Sequence, residues 1–298
     1  MPLVSVCIAT YRRPDGLRNL LESIGLQDVP SDLELEVLVV DNDPPSAEST
    51  VQAFHDACPF PVHYLSQTEP NISLTRNVAV DKAAGDLIWF IDDDEVADPT
   101  CLRELFSAMH NFEADVVFGP VIPVFETPAP EWMKPLHARP IHPTGSISQA
   151  HRTSNTLART SALRLVDGPF NRAYGVTGGS DGLLFSQLER QGLKLVNSAE
   201  AIVRETVPPE RATWDWLRAR MRRMGQNYGR QTASLEGGAL KLPVLWMAAK
   251  ALIQVLGWGG AAVINWRDRA KRSQLLLRMW TNVGKLEGLR GVSSLRDP

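Results

Sequence analysis

The ten residues Asp86-Leu87-Ile88-Trp89-Phe90-Ile91-Asp92-Asp93-Asp94-Glu95 constrain this chain more than any others. Five consecutive apolar residues between polar ones read as a buried strand, too short for a helix. The run ends in three aspartates and a glutamate, whose charges repel one another unless something positive sits among them. A hard divalent cation with oxygen ligands, Mg2+ or Mn2+, meets that demand and would also hold phosphates. A solvated acidic turn ahead of a helix starting near Pro99 is the alternative reading of the same residues. In an open α/β sheet, ligands bind beyond the carboxyl ends of the strands, where this cluster would fall.

The chain before it alternates strand and helix. Val4–Ala9 is an apolar strand, followed by Thr10-Tyr11-Arg12-Arg13-Pro14 and a helix with Leu17, Leu20, Leu21 and Ile24 at helical spacing. Leu35–Val40 is a second buried strand, ending in Asp41-Asn42-Asp43-Pro44-Pro45. A helix is expected from about Ser46 to Ala57, a short strand at Val62–Tyr64, and a helix from Leu74 to Ala84 that Gly85 ends. This order implies βαβ units and a mainly parallel sheet, with polar strand ends gathered at one edge. No glycine-rich dinucleotide fingerprint follows the first strand and no P-loop occurs, which disfavours a nicotinamide dehydrogenase or an ATPase.

Four segments in this order resemble the successive signatures of the family 2 glycosyltransferases: Val4–Arg13, Val37–Asn42, Asn71–Asn77 and Gly85–Asp94. The likeness continues through Phe118–Val121 and Asn155–Leu157 to Gly178-Gly179-Ser180-Asp181-Gly182-Leu183-Leu184. It implies a GT-A-like, Rossmann-type mixed sheet flanked by helices, with a nucleotide-diphosphate sugar as donor and inversion at the anomeric carbon. By the same resemblance, Thr10, Tyr11 and Asp41 fall where the family holds nucleobase and ribose, and Asp41 could instead cap its own turn. Arg76 falls at a basic contact to the nucleotide, or pairs with the aspartates. Asp92 and Asp93 fall near the ribose and diphosphate, and Asp94, with Asp92, at the metal. Asp181 matches the general base; capping a helix that starts just beyond it is the other reading. Many relatives carry a further acidic residue before that aspartate, where this chain has Ser180.

Charge divides the chain. The net charge is −3, yet Arg204–Pro298 carries 17 Lys and Arg against 7 Asp and Glu, and the rest carries 14 against 27. An acidic, metal-using body joined to a basic segment is expected, with residues 1–100 as a donor-binding half, 101–205 as an acceptor-binding half and 206–298 as a helical, membrane-associating extension. Three widely spaced cysteines point to a reducing compartment, and His137, His142 and His151 read as loop residues. No N-terminal signal peptide is visible. Thr127–Thr144 reads as a proline-rich acceptor-side loop, with Trp132 stacking on a sugar or packed beneath. A helix from about Thr213 places Trp214, Leu217, Met221, Met224 and Tyr228 on one face; Arg211 and Arg218 approach the diphosphate, and Glu205 the metal, by resemblance only. Beyond it, Leu242–Ala249 and Ala251–Trp266 are apolar runs separated by Lys250. Each is too short to span a bilayer, so the tail is expected to lie in a membrane interface or to fold back as core.

The expectation is therefore an inverting, metal-dependent glycosyltransferase, peripheral on the inner face of the cell membrane, acting on a lipid-linked or polysaccharide acceptor. A metal-dependent nucleotidyltransferase and a non-catalytic membrane- or nucleic-acid-binding module are the rivals. No nucleic-acid partner is expected, because the acidic body would repel phosphate backbones.

Overall fold

The computed structural model describes residues 1–55, 57–148, 151–291 and 293–294. The elements run β1 (Leu3–Thr10), α1 (Pro14–Gly25), β2 (Glu34–Asp41), α2 (Glu48–His55), β3 (Val62–Ser66), α3 (Ile72–Lys82), β4 (Leu87–Asp92), β5 (Glu95–Ala97) and α4 (Cys101–Asn111). They continue with β6 (Val116–Phe118), β7 (Val121–Phe125), α5 (Lys134–His137), β8 (Thr156–Arg159), α6 (Thr160–Leu163), α7 (Ser180–Arg190), β9 (Leu195–Asn197) and β10 (Val203–Val207). Three long helices close the chain: α8 (Trp214–Leu235), α9 (Leu242–Ile264) and α10 (Arg269–Leu289). Two compact units result. Residues 1–124, 139–176 and 183–206 form the first; residues 125–138, 177–182 and 207–298 form the second.

The first unit is built on a seven-stranded sheet ordered β3-β2-β1-β4-β8-β6-β9, parallel except where β8 runs against β4 and β6. The apolar runs form its centre because both faces are covered. Leu17, Leu20 and Leu21 of α1 and Leu102 and Leu105 of α4 pack on one face. Ala79 and Val80 of α3 and Leu184, Phe185 and Leu188 of α7 pack on the other. Phe118 meets Phe185 edge-on at 5.1 Å. Each such side chain contributes about 1.5–3 kcal/mol of burial, which outweighs any local preference in these short strands. Register positions the site: β1 pairs Thr10 with Asp41 of β2 on one side and Ala9 with Asp92 of β4 on the other. A second sheet, ordered β5-β10-β7, places Glu205 opposite Glu95.

In the second unit α8 starts where expected, with Thr213 Oγ1 accepting the Trp216 N–H at 3.3 Å. The expected stripe packs in its first part, where Trp214 and Met221 lie against the cluster that buries Leu217. Leu217 is buried with Met133 and Leu277, but Met224 and Tyr228 are half exposed. Gly225 and Gly229 of α8 lie against the α10 backbone from Thr281 to Lys285, and Gly284 and Gly288 of α10 against the α8 backbone at Arg222 and Gln226. A Cβ on Gly225 would lie 2.0 Å from the Thr281 carbonyl oxygen, and one on Gly284 2.0 Å from that of Arg222. Backbone contact along four glycines brings the helices closer than leucine-sized residues allow. Glu287 completes the seam, accepting from Arg222 Nε at 2.7 Å and Gln226 Nε2 at 2.9 Å.

The tail also corrects an expectation. Lys250 does not interrupt it: α9 is one helix of 23 residues, long and apolar enough to cross a membrane by length and composition. Val244, Ala251 and Ala262 are buried, while Leu242, Trp246, Ile253, Leu256 and Ile264 stay exposed.

Candidate active site

Five carboxylates gather beyond the ends of β1 and β4, with three guanidiniums among them. Thr10, the last residue of β1, donates from Oγ1 to Asp93 Oδ2 at 2.9 Å, and the Tyr11 N–H approaches the same oxygen at 3.4 Å. Arg13 reaches from the start of α1, its Nη1 lying 3.0 Å from Asp93 Oδ1 and 2.9 Å from Asp94 Oδ2. Gly16 makes this approach possible, since a Cβ there would stand 2.6 Å from the Asp93 carbonyl oxygen. On the other side, Arg76 of α3 donates from Nη2 to Asp92 Oδ1 at 3.0 Å, its guanidinium lying over the Phe170 ring. Asn71 sets the direction of α3 by accepting the Ser73 and Leu74 N–H groups.

Burial makes this charge expensive. The Asp93 carboxyl is pushed up to about 6 by burial and the Asp94 charge, against the pull of Arg13. Glu95, whose Oε2 accepts the Asp92 N–H at 3.0 Å, is held well above the usual carboxylate range by burial and then by Asp92, Glu205 and Asp94. Arg139 donates to Glu205 at 3.2 Å. Asp92, Asp93, Asp94 and Glu205 pair with Arg13, Arg76 and Arg139, and Glu95 is buried beside them. No set of His, Cys, Asp and Glu among the described residues stands in metal-holding geometry. The chemistry of the side chains nevertheless suits a hard divalent ion, since those gathered at the end of β4 are carboxylates.

Asp41 has the turn-holding geometry that was the other reading of it in the sequence. It is fully buried, and its oxygens accept from the Asp43 N–H at 2.9 Å, the Ala47 N–H at 2.8 Å, Ser46 Oγ at 3.1 Å and Tyr64 Oη at 3.0 Å. These donors occupy its lone pairs, so it shapes the turn. Asn42 shapes it too, donating to the Gln67 and Glu69 carbonyls and accepting the Asn71 N–H. Arg12 beside it pairs with Asp43 and lies over the Tyr11 ring.

In the second unit, Asp181 lies within the first turn of α7 and not ahead of it, its Oδ1 accepting the Gly182 N–H at 2.9 Å. That bond to the adjacent residue is not the N-cap pattern, which reaches two or three residues on. Gly178 and Gly179 before it have φ of 78° and 98°; Gln231 of α8 donates to the Gly179 carbonyl and Asn227 to that of Thr177. Trp132 is packed, lying under the Arg269 guanidinium at 4.4 Å. His137 is no loop residue: it ends α5, is buried, and stacks on Trp216 at 5.7 Å. Arg211 and Arg218 lie over Trp216 and Trp280, and Arg218 also pairs with Asp215.

The site list drawn from sequence omitted Arg13 and Glu95. Arg13 had one signal, a basic residue directly after a strand that ends beside the acidic run. The distance to Asp93 that makes it matter is set by tertiary structure.

A mainly parallel sheet with carboxylates at its carboxyl edge, flanked by helices and continued by a helical C-terminal part, is a GT-A-like architecture. The solved structure of a mannosyltransferase from Pyrobaculum calidifontis in complex with GDP-mannose and Mn2+ aligns over 97% of this chain and 87% of its own, with a TM-score of 0.67 at 17% identity. Staphylococcus aureus TarS residues 1–349 in complex with UDP aligns over 98% and 92%, with a TM-score of 0.55 at 17% identity. The family model "Glycosyl transferase family 2" matches residues 5–167. The succinoglycan biosynthesis protein ExoM of Rhizobium meliloti is 33% identical over 298 residues, covering 99% of this chain and 95% of its own length. The chain belongs to glycosyltransferase family 2, and the protein is a glycosyltransferase.

Proposed function

We propose that this enzyme moves a sugar, with inversion, from a nucleotide-diphosphate sugar to a hydroxyl of a polysaccharide or lipid-linked acceptor, at the cytoplasmic face of a membrane. The observation that carries the reading is the meeting of Asp92, Asp93, Asp94 and Glu95 with Arg13 and Arg76 at the carboxyl end of β4. Residues 1–100 serve the donor: Thr10, Tyr11 and the turn held by Asp41 cradle base and ribose, and Arg76 and Arg13 offer guanidiniums to the diphosphate once it competes for them. Asp92 and Asp94 would hold Mg2+ or Mn2+, with Glu95 and Glu205 close by; the ion supplies Lewis-acid stabilisation of the departing diphosphate. Asp93 stays with Thr10 and keeps the end of β1 in register with the cluster.

Residues 101–205 and the Thr127–Thr144 loop serve the acceptor. Asp181 takes the proton of the attacking hydroxyl, the new bond forms on the face opposite the leaving group, and the nucleoside diphosphate departs with the bonding electrons. Residues 206–298 attach the enzyme to the membrane through α9 and the basic residues that follow it. The UDP, UDP-GlcNAc and GDP-mannose complexes of structural neighbours and the polysaccharide role in a relative's name support a nucleotide-sugar donor and a glycan acceptor.

A panel of nucleotide sugars, screened with Mn2+ for thermal stabilisation and for transfer, tests the reading. Saturation at a hundred times the dissociation constant should add about 2.7 kcal/mol of stability. Nucleoside diphosphate as product, with an inverted anomer by NMR, is expected. Pyrophosphate as product would make the enzyme a nucleotidyltransferase.

A further inference from the structure

The second unit contains a groove of about 610 Å3, lined mainly by residues from α9 to α10 to which the proposed transfer assigns no role. That volume falls within the range of small-molecule sites, about 300–1,000 Å3. Its apolar lining comes from Gly259, Ala262 and Val263 of α9, Leu276 of α10 and three tryptophans, Trp132, Trp214 and Trp266. Arg269 and Arg272 stand in the lining, so cationic groups border an otherwise apolar space. The ring of Trp132 already orients Arg269, and Arg272 gives one N–H to the Trp266 carbonyl at 3.1 Å, leaving the rest of its fork. The acid nearest in sequence, Asp268, accepts the Lys271 N–H at 2.9 Å and caps α10. The groove shares Val263 and Trp266 with the exposed apolar end of α9, where these residues are 72% and 62% exposed.

An apolar trough with two guanidiniums matches an amphiphile bearing an anionic head. We infer that this groove binds one anionic glycerophospholipid of the bilayer, a chain lying over Ala262 and Leu276 and the phosphate held by Arg269 and Arg272. The inference rests on the membrane attachment proposed above and goes beyond it. Adsorption through α9 requires only an apolar face and positive charge, whereas the groove makes one lipid a stoichiometric ligand. A guanidinium beside a phosphate, shielded by tryptophan, holds it more strongly than one facing water.

The test uses the full-length chain incubated with mixed micelles of phosphatidylglycerol or of phosphatidylcholine, then examined by native mass spectrometry. One phosphatidylglycerol per chain should survive, with at least tenfold less phosphatidylcholine. Arg269→Gln combined with Arg272→Gln should lose that preference, and Ala262→Trp, which fills the trough, should lose both lipids. The double variant alters exposed or half-exposed side chains and retains the seam between α8 and α10, so it reads the groove even where Ala262→Trp fails to fold. Equal retention of the two lipids, or unchanged retention in the double variant, overturns the inference. Displacement of the lipid by millimolar inorganic phosphate would also overturn it, by showing that the chain contributes nothing. Flotation with vesicles separates the two readings. Variants that still float but retain no lipid leave membrane attachment standing, and a wild-type chain that does not float yet retains phosphatidylglycerol from micelles rejects attachment and keeps the groove.

Discussion

Arg13 carries the charge that two aspartates share, so the consequences of losing either are unequal. Asp94→Ala removes one partner at 2.9 Å and leaves Arg13 its bond to Asp93, so the fold should change by no more than about 1 kcal/mol. Transfer that depends on metal should be abolished, read as nucleoside diphosphate release across a Mn2+ titration; full activity in chelator would refute the assignment. Asp181→Asn keeps an oxygen for the Gly182 N–H. Donor affinity should therefore survive while turnover falls by about 10²–10⁴, the contribution of a general base, and an unaltered turnover would remove Asp181 from the chemistry. His137 has a different role. Burial, then the Arg220 charge, lowers its pKa to about 4 from 6.5. The unfolded chain therefore binds the proton first, and stability declines as pH falls from about 6.5 towards 4, then levels off. The loss is on the order of 2 kcal/mol. His137→Phe keeps the stack on Trp216, so the stability gap between variant and wild type should shift in the variant's favour between pH 7 and pH 4.5. A gap that stays constant in urea titrations at the two pH values would show that the histidine titrates normally.

At the scale of elements, the contact between α8 and α10 depends on what four positions lack. A side chain at Gly225 would collide with the backbone of α10, where no rotamer change relieves it. Gly225→Val should cost at least the 1–3 kcal/mol usual for overpacking, measured by denaturant unfolding. Gly257→Ala in α9 is the matched control: its Cβ would meet nothing within 4 Å, so the change should stabilise the helix by about 0.5–1 kcal/mol. Equal effects of the two would mean that the helices are held by other contacts. The expected Trp/Leu/Met stripe packs through Trp214, Leu217 and Met221 but not as far as Met224 and Tyr228, because periodicity identifies a face without saying how closely a partner can approach it.

The same seam bears on the whole molecule. Removing residues 240–298 would strip α10 from α8 and uncover Gly225 and Gly229, so truncation cannot separate membrane binding from folding. Ile253→Gln with Leu256→Gln alters only exposed positions of α9. Wild type should float with anionic vesicles and be released only in part by salt. Each Lys or Arg near anionic lipid is worth about 1 kcal/mol and is screened, whereas apolar burial is not. The double variant should retain the salt-sensitive part and lose the rest. Complete release of the wild type by salt would leave α9 without a membrane role.

The alternation of strands and helices, the buried run Leu87–Ile91 and the polar strand ends were legible in the chain because hydrophobic periodicity is local. So was the need for positive charge at Asp92–Glu95, since four adjacent carboxylates repel wherever they are placed. Which charge answers that need was not. Arg13 and Asp93, Glu95 and Glu205, and Asp41 and Tyr64 are far apart in sequence and meet only through the register of strands that burial selects. Asp41 read either as a ligand acceptor or as the cap of its own turn, because an aspartate after a strand carries no mark of how many donors will surround it. The glycines of α8 and α10 became a contact between the helices only once the fold let two backbones touch. Sequence thus settled the architecture and the edge at which the carboxylates gather, while packing settled which side chains hold one another there.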